Sequence, residues 1–166
     1  LIEICEQHYQ IDYTLIDLNP GLSAINQNLF LNSDFFVVTT NPDPFSIMAI
    51  DTLSTVLPRW ATWKNSATSA FDDSAYPLRV GIPKLAGIFA QRFNVRNGKA
   101  ARPYRDNIEE IKSRVTGALF PNLKSVGMTL SPHEYPQNLS TASYCIGEIP
   151  AFGGLFPKAS TAGAPA

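Results

Sequence analysis

Apolar and polar positions along the chain follow two different periods, which predict strands separated by helices. Tyr13–Leu18 is a short apolar run that carries Asp17 near its end, and residues 19–21 read Asn-Pro-Gly. We therefore expect a buried strand followed by a turn. Apolar residues recur at helical spacing from Leu22 to Phe30, which predicts a helix, and the apolar run Phe35–Thr40 predicts a second buried strand.

The same pattern continues to the end of the chain. A helical period runs from Phe45 to Trp63, where Pro58 is expected to kink or end the helix. Residues 64–80 are polar and broken, and we expect a loop-rich insertion there. The remaining predicted elements are a strand, a helix, a strand and a helix: Lys84–Ala90, Pro103–Leu119, Val126–Leu130 and Leu139–Ile146. Strands that alternate with helices indicate one α/β domain over residues 1–166, with a mainly parallel sheet flanked by helices.

Composition narrows the class of protein further. The chain has 166 residues, of which 45% are hydrophobic, and a net charge of -1, which excludes disordered and fibrous proteins. Its apolar runs are far shorter than the roughly 20 residues that cross a bilayer. Cys5 and Cys145 have no metal-ligand spacing and no secretory signal precedes them, so we expect both thiols to be reduced and the protein to be cytoplasmic.

Asp17 is the first candidate for chemistry, because it is a carboxylate at the carboxyl end of a predicted apolar strand. Ligands of open α/β sheets collect at such strand ends. A carboxylate there can hold Mg²⁺, usually through water, while a flexible turn next to it senses a phosphate. The alternative interpretation is that Asp17 only caps the next helix or begins an Asx turn.

Three stretches of the sequence together resemble ParA/MinD-type P-loop ATPases. Residues 13–53, YTLIDLNPGLSAINQNLFLNSDFFVVTTNPDPFSIMAIDTL, resemble the Walker B and switch II region of that family. KLAGIFAQRFNVRNGKAARPYRDNIEEI is similar to the family's strand that ends in an Asn-Arg pair and to the helix after it, and MTLSPHEYPQNLSTA is similar to the strand and loop beside the adenine. The resemblance covers nearly the whole chain.

The resemblance implies a role for several residues. Asp17 corresponds to the carboxylate associated with Mg²⁺, and Pro20 and Gly21 to the turn that responds to the γ-phosphate of ATP. Asn41 and Pro42 match the loop after the next strand. Two further positions lie near the adenine by resemblance: Gln91, where relatives usually carry Asn, and Pro132. Gln keeps the donor and the acceptor that the amide of Asn offers.

The family's phosphate-binding loop, G-x-x-x-x-G-K-[ST], does not occur in these residues. In the family this loop lies upstream, so we expect the chain to be the C-terminal portion of a domain that is incomplete at its N-terminus. The complete protein would bind ATP and Mg²⁺ and act as a switch in plasmid or chromosome partitioning or in protein positioning. Two alternatives stay open: an ATP-dependent metabolic enzyme of the same P-loop class, and a degenerate binding or dimerisation module without catalysis.

The sequence also suggests partners. Seven of the thirteen basic residues fall between Arg92 and Arg114, and they include Arg96, Lys99, Arg102 and Arg105. Such a cluster can bind DNA phosphates without reading sequence, although acidic neighbours make a solvated helix face the alternative. An incomplete sheet predicts exposed strand edges, so we expect a homodimer. The resemblance adds a partner protein that stimulates the ATPase.

Other classes of site have little support. His8 and His133 are far apart and lack the cysteine or carboxylate spacing of a zinc site. No serine lies in a G-x-S-x-G motif, which disfavours a hydrolase triad.

Overall fold

A computed structural model of the protein describes residues 2–19, 21–75 and 78–151. The helices are α1 (Ile2–Tyr9), α2 (Ala24–Leu31), α3 (Pro44–Ala70), α4 (Arg102–Arg114), α5 (Phe120–Ser125) and α6 (Gln137–Thr141), with a π-helical turn at Val115–Leu119. The strands are β1 (Phe35–Thr40), β2 (Lys84–Phe93), β3 (Val95–Arg96), β4 (Lys99–Ala100) and β5 (Cys145–Pro150). No helix in these ranges is long and apolar enough to cross a membrane.

The centre of the fold is a parallel sheet with the strand order β1-β2-β5. β1 consists only of aromatic, β-branched and threonine residues, which favour strands. It pairs with β2 from Phe35 opposite Lys84 to Thr40 opposite Ala90, with a bulge at Ala86. Because parallel strands need a long connection, α3 carries the chain from β1 to β2. The predicted α/β class, with a parallel sheet flanked by helices, is confirmed.

The core lies between this sheet and α3, α4 and the π-helical turn. Ile50 and Leu57 of α3 recur at helical spacing and pack, almost fully buried, in one cluster with Leu85 and Ile88 of β2 and Ile111 of α4. Burial of each such side chain stabilises the fold by about 1.5–3 kcal/mol. The predicted helix over Pro103–Leu119 is confirmed, with Ile108, Ile111 and Val115 turned inward.

α3 is longer than the sequence predicted, because it does not end at Pro58 and continues to Ala70. Of the predicted loop-rich stretch 64–80, residues 64–70 are helical, and the described residues after them are turns and irregular chain. The helix begins at a well-formed cap, where Oδ1 of Asp43 accepts a hydrogen bond from the amide of Ser46 at 2.8 Å. It then continues through Pro58 to Ala70. Buried Ala61, Lys64 and Ala67 keep the helical period on the core side, so the packing of that face outweighs the polar character of the sequence.

Pro58 is accommodated because a neighbouring helix replaces the hydrogen bond that proline removes. Proline has no amide hydrogen to donate to the carbonyl four residues earlier, which is that of Ser54. Asn122 of α5 donates to this carbonyl instead, with an Nδ2–O distance of 3.0 Å. The helix therefore continues without an unsatisfied carbonyl at Ser54.

Three other predicted elements were wrong. Tyr13–Leu18 is not a strand: it has no pairing partner in the described chain, and the side chains of Tyr13 and Leu15 are 88% and 96% exposed. Val126–Leu130 contributes only one bridge, between Thr129 and Leu85. The predicted helix Leu139–Ile146 ends at Thr141, because Ser143 and Tyr144 take positive φ angles of 55° and 60° and turn the chain into β5.

Candidate functional site

The carboxyl ends of β1 and β2 form the candidate site. Thr40 pairs with Ala90, so the next residues along the two strands, Asn41 and Gln91, follow adjacent positions at one edge of the sheet. The buried hydroxyl of Thr40 donates to the carbonyl of Phe89 at 2.9 Å and ties the two strand ends together. The side-chain amides of Asn41 and Gln91 have no hydrogen-bond partner within the described residues, and both side chains are half-buried.

The loop after β1 is held rigidly at the start of α3. The amide of Asn41 donates to Oγ of Ser46 at 3.1 Å. Pro42 is buried, and its carbonyl accepts a hydrogen bond of 3.0 Å from Nδ2 of Asn107 on α4. Asn107 was not among the predicted site residues, because it lies within a strongly charged helix. Asn is disfavoured inside helices, so its presence there was the sequence feature that could have indicated a specific hydrogen bond.

The end of β2 is irregular beside Gln91. A bulge between Gln91 and Phe93 places Arg92 at a φ of 60°, an uncommon angle for a residue with a side chain, and leaves Arg92 exposed. Gln91 itself stays paired with Ile149 of β5. A half-buried amide and an exposed guanidinium are therefore adjacent in sequence at this edge, and both are able to bind an anionic or polar ligand.

One buried asparagine holds the backbone of the segment before α2, where Asp17 and Gly21 lie. Nδ2 of Asn26 donates to the carbonyl oxygens of Asn19 and Gly21, at 2.8 and 2.9 Å. Gly21 has a φ of 141°, which favours glycine. Asp17 is exposed, and Pro20 lies outside the described residues. The sequence did not single out Asn26, because residues 26–28 read as a polar helix face.

The described residues do not form a metal site by themselves. They contain no group of three or more His, Cys, Asp or Glu side chains placed to hold an ion. Asp17 is a single exposed carboxylate, and Mg²⁺ bound through one carboxylate takes its other ligands from phosphate oxygens and water. These residues therefore do not fit a complete magnesium site.

Pro132 is exposed, in a loop that is fixed to the sheet through Leu85 rather than through Gln91. Its loop leaves the sheet where Thr129 bridges to Leu85, near the amino end of β2. The hydroxyl of Tyr135 donates to the carbonyl of Leu85 at 2.6 Å and fixes the loop there. Gln91 is six residues further along β2, or about 20 Å at the usual rise of a strand.

The basic segment divides into an ion-paired part and a free part. Lys112 bonds Glu148 and Glu109 at 2.8 and 3.2 Å, and Arg114 bonds Asp51 and Glu110. Burial lowers the pKa of Lys112, but the hydrogen bonds that its ammonium donates to Glu148 and Glu109, together with their negative charges, outweigh burial and raise that pKa overall. Within this segment, five exposed basic residues have no ion pair with the described residues: Arg92, Arg96, Lys99, Arg102 and Arg105.

The free basic residues surround a small hairpin. β3 and β4 pair in antiparallel fashion, Arg96 opposite Lys99. Asn97 and Gly98 between them have φ angles of 53° and 74°, the conformation of a tight two-residue hairpin turn. The turn therefore presents Arg96 and Lys99 side by side, next to the start of α4 with Arg102 and Arg105.

No protein-family model matches the chain, and none of the curated proteins or solved structures gives a significant match to it.

Proposed function

We propose that the chain is part of a ParA/MinD-type ATPase that acts as an ATP-dependent switch in partitioning or protein positioning. The observation that supports this proposal is the pair of free amides of Asn41 and Gln91 at the carboxyl edge of a parallel sheet. Open α/β sheets bind ligands at that edge. An amide offers both a donor and an acceptor, which suits the polar edge of a purine base.

The turn at Asp17–Gly21 is the second part of the proposal. Asn26 bonds the backbone on both sides of this turn and belongs to α2, whose Phe30 and Leu31 are buried in the core. A displacement of the turn by a phosphate would therefore be transmitted through Asn26 to α2. In this proposal the turn responds to the γ-phosphate, and α2 carries the response to the rest of the domain.

ATP and Mg²⁺ belong to the complete protein in this proposal. The 166 residues contain no G-x-x-x-x-G-K-[ST] loop, so the backbone amides and the lysine that hold the phosphates would come from residues upstream. Sequencing of the source DNA upstream of the Leu1 codon tests this directly. An in-frame strand and phosphate loop supports the ATPase, whereas a start codon immediately before Leu1 contradicts it and leaves a binding module.

The free amides give a test in the longer protein. Gln91→Ala should raise the KM for ATP about tenfold, since one hydrogen bond to a base contributes about 1.4 kcal/mol. Gln137→Ala is the matched control, because Gln137 is exposed at the start of α6, outside the sheet. An unchanged KM in Gln91→Ala would remove the residue from the site.

A second proposal concerns the hairpin, which we infer to be a DNA-binding surface that does not read sequence. Its support is the set of exposed basic residues without carboxylate partners, described above. Phosphate contacts of this kind release counterions, so the affinity should fall steeply with salt.

The matched pair of triple variants tests the DNA surface in the full protein. Replacement of Arg96, Lys99 and Arg102 by Glu should abolish DNA retention. If some binding remains, the slope of log affinity against log salt concentration should decrease in magnitude by up to about 3. The control replaces Arg59, Arg79 and Lys124, three exposed basic residues away from the hairpin of which Arg79 alone is ion-paired in the described chain, with Asp34, and changes the net charge equally. Equal losses in the two variants would show that only total charge matters and would contradict the surface.

A further inference from the structure

The side chain of Asn107 ties the loop between β1 and α3 to α4. Its Nδ2 donates to the carbonyl of Pro42 at 3.0 Å, across 65 positions of the sequence. Pro42 is buried and Asn107 is half-buried, so this hydrogen bond is partly shielded from water. Asn is disfavoured in the interior of a helix, because its side chain competes for backbone groups. A stronger helix former such as alanine could not make this bond.

The other hydrogen bonds of the loop are local. The amide of Asp43 donates to the carbonyl of Asn41 at 2.8 Å, which closes a three-residue turn centred on Pro42. The amide of Asn41 donates to Oγ of Ser46, and Oδ1 of Asp43 accepts from the amide of Ser46. These three bonds hold the loop to the first turn of α3. The carbonyl of Pro42 is not used within the turn and is the group that Asn107 binds.

The direction of the Asn41 side chain depends on its two neighbours in the chain. Thr40, directly before it, is fixed to β2 through the hydrogen bond to the carbonyl of Phe89. Pro42, directly after it, is fixed to α4 through Asn107. The residue before a proline is restricted to extended conformations, so two anchored neighbours leave the amide of Asn41 little freedom. Release of Pro42 would leave Asn41 without its anchor to α4.

We propose that Asn107 is a positioning residue, which sets the direction in which Asn41 presents its amide to the ligand of the candidate site. This inference rests on the proposed function, in which the amide of Asn41 bonds the base of ATP. Hydrogen bonds weaken steeply when their angle departs from the optimum, and a group that is already held in the bound geometry loses less entropy on binding. Asn107 therefore contributes to affinity without contact with the nucleotide.

Amide hydrogen exchange of the chain tests the positioning without any ligand. In Asn107→Ala, the amides of Asn41 and Asp43 should exchange about threefold to tenfold faster than in the wild type, since the loop loses one hydrogen bond. Asn122→Ala is the matched control, because Asn122 also donates Nδ2 to a carbonyl of another element at 3.0 Å, that of Ser54. Ser54 lies about 15 Å along α3 from its start. Equal exchange of the two amides in both variants would overturn the proposal.

Both variants introduce alanine, the strongest helix former, so both should fold. Kinetics of the longer protein then test the consequence for the ligand. Asn107→Ala should raise the KM for ATP about threefold to tenfold with kcat unchanged, whereas Asn122→Ala should leave both constants unchanged. In an Asn41→Ala background, Asn107→Ala should have no further effect, because a positioning residue acts only through the amide that is then absent.

Two kinetic results would contradict the role of Asn107. One is an unchanged KM in Asn107→Ala although Asn41→Ala raises it, and the other is an effect of Asn107→Ala that persists in the Asn41→Ala background. An unchanged KM in Asn41→Ala would contradict the proposed function itself, and with it this inference.

Discussion

At the scale of single residues, Lys64 is the side chain whose environment matters most for stability. It is 2% exposed on α3, and its Nζ donates to the carbonyl oxygen of Leu31 at 2.5 Å. Leu31 is the last residue of α2, so the ammonium satisfies a carbonyl that the helix end leaves free. Burial lowers the pKa of Lys64, and the positive charge of Arg79 lowers it further.

The lowered pKa of Lys64 makes stability depend on pH. Between the folded-state pKa and 10.5 the unfolded chain binds the proton and the folded chain does not, so the free energy of unfolding should rise with pH. Lys64→Met should remove this contribution, measured by urea unfolding at neutral pH and just below pH 10.5. Burial raises the pKa of Tyr135 and Tyr144, and this opposes the rise equally in both proteins.

Exposed Lys124 provides the control for this experiment. Lys124→Met should keep the pH dependence of the wild type, since it leaves the buried Lys64 in place. If Lys64→Met has the same pH dependence as Lys124→Met, Lys64 is not the group responsible.

Individual polar contacts were the part of the site that the sequence predicted least well. Asn41 follows directly after β1, as the apolar run Phe35–Thr40 predicted. β2 continues past the predicted end at Ala90 to Phe93, so Gln91 lies inside the strand. Asn26, Lys64 and Asn107 each bond a carbonyl from another element. Such partners depend on how helices and loops pack, which no local pattern specifies.

At the scale of elements, α3 shows how packing compensates for a helix-breaking residue. Pro58 removes one intrahelical hydrogen bond, and Asn122 of α5 supplies the missing donor to Ser54. Asn122→Ala should lower the free energy of unfolding by about 0.5–1.5 kcal/mol, because it removes the donor from a partly buried hydrogen bond. In a Pro58→Ala background the same substitution should cost less, since the backbone amide of the introduced alanine can donate to that carbonyl.

Denaturant unfolding of the four proteins in this double-mutant cycle gives the coupling between Pro58 and Asn122. A cost of Asn122→Ala that is the same in the wild type and in the Pro58→Ala background would mean that the side chain does not compensate for the proline.

Elements whose partners lie within the described chain were predicted well, and those without such partners were not. β1, β2 and α4 have both the right period and a neighbour to pack against. Tyr13–Leu18 has the composition of a strand, but a strand forms only by hydrogen bonding to another strand. Its backbone has no strand partner in the described residues, so the pattern alone was insufficient.

At the scale of the whole molecule, the candidate site offers two amides and the exposed Arg92 but no phosphate-binding loop. Asn41 and Gln91 carry free amides at one edge, whereas Asp17 is exposed on a turn and no phosphate loop occurs in the sequence. Most of the affinity of a P-loop protein for ATP comes from the amides and lysine that surround the phosphates. We therefore expect this chain alone to bind ATP weakly or not at all.

Calorimetric titration of the chain with ATP and Mg²⁺, and separately with adenosine, measures the two affinities and so tests this expectation. If the amides are the only contacts, any residual affinity should be the same for ATP and adenosine and should not depend on Mg²⁺, since neither phosphate nor metal is held. Micromolar binding that requires both the phosphates and Mg²⁺ would contradict this, because it would mean that Asp17 and the turn at Gly21 form a phosphate site without the loop.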